Sequence, residues 1–89
     1  MARAARPSTE SFHSAEYERF AKRLRTAREN AGLTQAQVAE AIGKDRTYVV
    51  KYEGRNRRLD VIEFLRIAQA LGLDVAQFLA DLQAGREGL

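Results

Sequence analysis

The stretch from Thr34 to Glu53 leaves this chain little conformational freedom. Thr34 and Gln37 have the spacing of a capping box, in which hydroxyl and amide satisfy each other's backbone N–H groups at a helix start. Val38, Ala39 and Ile42 follow at helical intervals, so a short helix runs to about Ile42. Gly43 can take the left-handed backbone needed to leave that helix, and Asp45 can cap another one two residues later. Arg46 to about Glu53 forms this next helix, with Val49 and Tyr52 on its inward face. Helices joined by so short a turn must cross steeply, and close crossing demands small side chains where they meet. Gln35, Ala39, Gly43 and Val49 hold the first, fifth, ninth and fifteenth places of a twenty-residue window. Ala39 lets the third helix approach, Gly43 makes the turn, and Val49 pins the two together.

The rest of the chain is helical too. Tyr17, Phe20, Ala21, Leu24, Ala27, Arg28 and Ala31 recur at three and four, giving a first helix of about four turns that Gly32 stops. Asp60 and Glu63 repeat the capping spacing ahead of Val61, Phe64, Leu65, Ile67, Ala68 and Leu71, closed by Gly72. Asp74 and Gln77 open a fifth helix carrying Val75, Phe78, Leu79 and Leu82. No stretch alternates over strand length. The reading is an all-α, compact five-helix domain over residues 14–84, with a flexible basic arm at 1–13 and a frayed tail at 85–89. Phe20, Leu24, Phe64, Leu65, Phe78 and Leu79 are assigned to the core.

At 89 residues the chain is one domain, and a core this small calls for an additional stabilising device. With no cysteine that device is not a disulfide, and with His13 alone neither a zinc site nor a thiol nucleophile can be built. No metal or cofactor is expected. Ser8, Ser11 and Ser14 beside His13 lack an orienting carboxylate and an oxyanion hole, so an enzyme is not expected either. No apolar run suits a signal peptide or a membrane span, and a cytoplasmic location is expected.

Charge is uneven along the chain. Residues 1–43 carry seven basic and five acidic side chains, residues 44–58 six and two, and residues 59–89 two and five. The excess therefore sits in and just after the third helix. Two helices at a steep angle with a tight turn are a helix-turn-helix over about residues 34–53, whose second member is offered to the major groove of DNA.

The run Leu33-Thr34-Gln35-Ala36-Gln37-Val38-Ala39, the turn Ile42-Gly43, the pair Tyr52-Glu53 and the run Ile67-Ala68-Gln69-Ala70-Leu71-Gly72-Leu73 carry a resemblance. From Phe20 to about Leu79 the chain resembles the phage repressor and Cro-like helix-turn-helix proteins, the Xre family. The resemblance implies a five-helix domain that binds double-stranded operator DNA, usually as a dimer on a two-fold related site, and controls transcription. It puts Gln35 against a phosphate and Arg46, Thr47, Val50 and Lys51 toward base edges. The chemistry agrees, since Arg46 and Lys51 can donate to guanine O6 and N7 while Thr47 or Val50 can touch a thymine methyl. Lys44, Arg55, Asn56, Arg57 and Arg58 then fall where phosphate-contacting groups lie. Tyr48 is either a partly covered shoulder or a further contact to sugar and phosphate. The resemblance also implies an ion pair between Arg28 and Glu53, tethering the third helix to the first.

Two positions depart from the family pattern. Lys44 replaces an apolar residue after the turn, and its stem is expected to cover the core while the ammonium reaches phosphate. Arg55 stands where a glycine is usual, so either Gly54 ends the helix one residue early or Arg55 takes a left-handed conformation. For the stabilising device, part of the stripe Val75, Phe78, Leu79 and Leu82, with the end of helix four, is expected to form a two-fold dimer contact. The leading function is thus a sequence-specific transcriptional regulator, a repressor on an inverted repeat. The alternative is an antitoxin or controller-type protein of a two-gene module that binds a protein partner.

Overall fold

Each helix begins on a side-chain cap. In the computed structural model, which describes residues 14–85, the elements are α1 (Ala15–Asn30), α2 (Gln35–Ala41), α3 (Arg46–Glu53), α4 (Val61–Leu71) and α5 (Val75–Ala84). The residues expected to form the basic arm, and residues 86–89 of the tail, lie outside this range. Ser14, Thr34, Asp45, Asp60 and Asp74 each accept the N–H three residues on, at 2.8 to 3.3 Å. Thr34 with Gln37 and Asp60 with Glu63 close as full capping boxes. These bonds satisfy backbone donors that a helix start otherwise leaves unpaired. There is no strand among the described residues.

The core is built on the crossing of α2 and α3. Val38, Ala39, Val49 and Tyr52 are fully buried there, joined by Leu24 from α1 and by Ile67 and Ala68 from α4. An aromatic cluster closes the other end: Phe20 lies 5.4 Å from Phe64 and 5.9 Å from Phe78, edge-on to both rings. Such geometry sets the positive ring edge against the negative ring face. Phe78 is therefore the core residue that its spacing predicts, and it drops out of the stripe expected at the dimer contact. Leu65 and Leu79 err the other way. They are 43% and 44% exposed, and both line a groove between α4 and α5. Val61 is 69% exposed at the start of α4.

The turn between α2 and α3 closes on two backbone bonds, Gly43 N–H to Glu40 C=O at 3.2 Å and Lys44 N–H to Ala39 C=O at 2.8 Å. This is a Schellman closure, and it requires a positive φ at Gly43, which is +73°. A methyl group there would meet nothing within 4 Å. Gly43→Ala should therefore cost only the backbone term, about 1 kcal/mol in urea denaturation. A much larger loss would mean that the turn tolerates no adjustment. The same closure recurs after α3, where Asn56 N–H reaches Lys51 C=O at 2.8 Å. Its left-handed residue is Arg55, with φ +63°, while Gly54 remains right-handed. Of the two alternatives at this departure, the structure takes the second.

Candidate nucleic-acid interface

The third helix has two distinct faces. Val49 and Tyr52 are buried against α1, α2 and α4, and this fixes the opposite face outward. Arg46, Thr47, Val50 and Lys51 are all exposed on that outer face. They combine two long donors, a hydroxyl and a methyl-bearing side chain on a single helix. The inner face anchors α3, so the outer one can be presented as a rigid unit.

Arg28 and Glu53 form the expected ion pair. The Arg28 Nε–H donates to Glu53 Oε2 at 2.7 Å and Nη2 to Oε1 at 3.1 Å, a bidentate fork. Nη1 donates to the Leu33 carbonyl at 2.8 Å, which ties the loop after α1 into the same cluster. The Glu53 side chain is only 4% exposed. Its hydrogen bonds hold the Arg28 guanidinium above its ordinary pKa. Burial likewise raises the pKa of the neighbouring Tyr52 phenol.

Gln35 belongs to this cluster as well. Its amide donates to Glu53 Oε1 at 3.1 Å, and its carbonyl oxygen accepts from Arg46 Nη2 at 3.4 Å. The residue assigned to a phosphate thus also links the buried pair to the exposed Arg46. No periodicity could reveal this, because the four residues come from three separate helices.

The cations following α3 are less available than their sequence suggests. Arg57 forks onto Glu63, with Nη2 to Oε2 at 2.8 Å and Nη1 to Oε1 at 3.2 Å, and its guanidinium lies 4.6 Å from the centre of the Tyr48 ring. Arg55 pairs with Glu18 at 3.3 Å. Arg58 lies 5.0 Å over the Tyr17 ring, whose hydroxyl donates to the Arg57 carbonyl at 3.1 Å. Lys44 is exposed, with its ammonium 5.3 Å over Tyr48. Tyr48 itself is half-buried and packs against the core. Lys44, Lys51, Asn56 and Arg57 line a cleft of about 500 Å³ beside the outer face of α3.

Glu63 is the residue that sequence reasoning undervalued. It appeared only as a capping glutamate, and it does accept the Asp60 N–H at 2.9 Å. The Arg57 fork, with that backbone bond, also holds its carboxyl down to about 2. Because the folded-state value lies below the ordinary 4.5, the pairing stabilises the fold above about pH 4.5 and is lost as pH falls toward about 2. Glu63→Gln should flatten that part of the acid-unfolding curve, followed by circular dichroism. An unchanged curve would mean that the pair contributes nothing to stability.

No group of His, Cys, Asp and Glu among the described residues could hold a metal ion. No described helix is long and apolar enough to cross a membrane.

Residues 19–80 match the model of a family described as Helix-turn-helix domain. Comparison with curated proteins finds no match. Among solved structures, an XRE-family like protein from Pseudomonas syringae pv. tomato str. DC3000 superposes with a TM-score of 0.78 at 38% identity, covering 85% of this chain and 93% of that one. The restriction-modification controller protein C.AhdI from Aeromonas hydrophila gives 0.67 at 32% identity, covering 73% of this chain and 98% of that one. A second such controller, C.Esp1396I, gives 0.74 at 24% identity, covering 81% and 95%. It has been solved as a tetramer with its natural 35 base-pair operator, and as variants substituted at a consecutive arginine, threonine and tyrosine.

A tight two-helix crossing that presents a basic outer face defines a helix-turn-helix DNA-binding protein. By the family match and the 38% identity, this chain belongs to the XRE family of helix-turn-helix regulators.

Proposed function

We propose that the protein is a sequence-specific transcriptional regulator, a repressor, that binds an inverted-repeat operator as a homodimer. The observation that carries this reading is the outer face of α3, where Arg46, Thr47, Val50 and Lys51 are exposed together on a helix whose inner face is locked in the core. Arg46 and Lys51 read guanines, and Thr47 and Val50 contact thymine methyls. Gln35, Lys44, Tyr48, Asn56 and the three arginines Arg55, Arg57 and Arg58 set the register on phosphates.

The dimer rests on a different surface. Val61, Leu65 and Leu79 are exposed and share, with Leu59 and half-buried Val75, an apolar groove of about 230 Å³ between α4 and α5. Half-buried Leu82 extends this patch along α5. A two-fold axis through it would cover the same residues on both copies. The two α3 helices would then sit about 34 Å apart, one turn of duplex. Likeness to C.AhdI, a restriction-modification controller protein, at 32% identity supports the alternative of a controller-type protein of a two-gene module that binds a protein partner.

The test is selection of fragmented source-genome DNA by the purified protein in physiological salt, beside an Arg46→Ala, Lys51→Ala variant. Wild type should enrich an inverted repeat and the variant should enrich none. Equal enrichment by both would remove α3 as the reader of bases.

A further inference from the structure

The charge that follows α3 is answered from within the chain, and one of the answering groups stands where DNA is expected. Glu63 presents both carboxylate oxygens to Arg57 in a fork, at 2.8 and 3.2 Å. Two oxygens on a planar anion, facing Nη1 and Nη2, reproduce what a phosphodiester offers with its two non-bridging oxygens. The pair is not sealed in. The Arg57 side chain is 37% exposed, and it lines the same cleft as Lys44, Lys51 and Asn56. On its other side Glu63 lines a smaller cleft of about 220 Å³ with Lys44, Tyr48 and Arg66. A carboxylate is thus set among the cations that a phosphate would approach.

We propose that Glu63 is an internal stand-in for a DNA phosphate, holding Arg57 in a phosphate-binding geometry in the free protein and giving it up to the backbone when DNA binds. The proposal rests on the DNA-binding reading of α3 and adds a residue to it. Two consequences follow from charge alone. Arg57 reaches the DNA already ordered, against the face of Tyr48, so little rotamer freedom is lost on contact. The carboxylate remains beside the bound phosphate, so the favourable charge of the contact is reduced by about one. Glu63 therefore weakens backbone binding that carries no sequence information, and so raises the share of affinity that base contacts must supply.

The experiment is a salt titration of binding to a mixed-sequence DNA duplex, by fluorescence anisotropy, with wild type, Glu63→Gln, Arg57→Ala and the double variant. Glutamine at this position keeps the capping box, so the start of α4 survives the change, and circular dichroism checks it. Glu63→Gln should bind more tightly, with a log–log salt slope steeper by about 0.9, so that its advantage changes about 3.5-fold over a fourfold range of salt. Arg57→Ala should make the slope shallower by a similar amount, and the double variant, in which the two charge changes cancel, should return to about the wild-type slope. An unchanged or weakened Glu63→Gln, with wild type still binding, overturns the proposal and leaves the DNA-binding reading in place. Wild type that binds no duplex at any salt overturns both.

Discussion

Arg28→Ala should unfold this protein more readily than any single change at the DNA face, at a cost of about 3 to 5 kcal/mol. The loss is large because of what it leaves behind. Glu53 is 4% exposed, and without the fork from Arg28 its charge would keep only the Gln35 amide at 3.1 Å. The Leu33 carbonyl would lose its partner in the same step. A domain of 89 residues has a total stability of roughly 4 to 13 kcal/mol, so the change removes much of it and should lower Tm by more than about 12 °C. The double change Arg28→Met, Glu53→Met distinguishes a stranded charge from lost packing. If stranding dominates, the double variant recovers most of the stability of wild type, since paired apolar replacements of buried ion pairs are often neutral. Arg28→Ala melting within about 1 kcal/mol of wild type in urea would show that the pair is no tether.

Breaking the proposed dimer should have the largest effect on DNA binding. Leu65→Glu with Leu79→Glu places two charges on each copy of the apolar groove between α4 and α5. Both side chains are nearly half exposed in the monomer, so the fold itself should survive, with an unchanged circular dichroism spectrum. Across a two-fold contact the new carboxylates would be desolvated and face one another. Sedimentation should then give a monomer. Affinity for the inverted repeat should fall by about 10² to 10⁴, since the second recognition helix no longer arrives at high effective concentration. Affinity for a single half-site should not change. A variant that sediments as wild type, or that keeps full affinity for the repeat, would move the dimer contact elsewhere.

The helices were legible because their signals are local. Thr34, Asp45, Asp60 and Asp74 cap within one turn of themselves, and the spacing of Ala39, Gly43 and Val49 dictates the crossing of α2 and α3 with few alternatives. The outer face of α3 followed by subtraction, once Val49 and Tyr52 were assigned inward. The Arg28–Glu53 pair could be expected only through the family resemblance, since 25 residues separate the partners.

What a helical stripe cannot state is how much of its width a neighbour covers. Phe64, Leu65, Phe78 and Leu79 read alike along the chain, yet two fill the core and two face outward, because only the packing angles of α1, α4 and α5 decide which side is occupied. Charge behaves the same way. Composition assigns the six basic residues of the 44–58 segment to a single footprint, but the fold brings Glu18 to Arg55 and Glu63 to Arg57 from other helices. The sequence by itself determined the helices, their order and the outer face of α3 proposed to read DNA, all consequences of contacts within a few residues. Tertiary structure alone decided which cations remain available to phosphate and which leucines remain for a partner, because both depend on groups that meet only after the helices have packed.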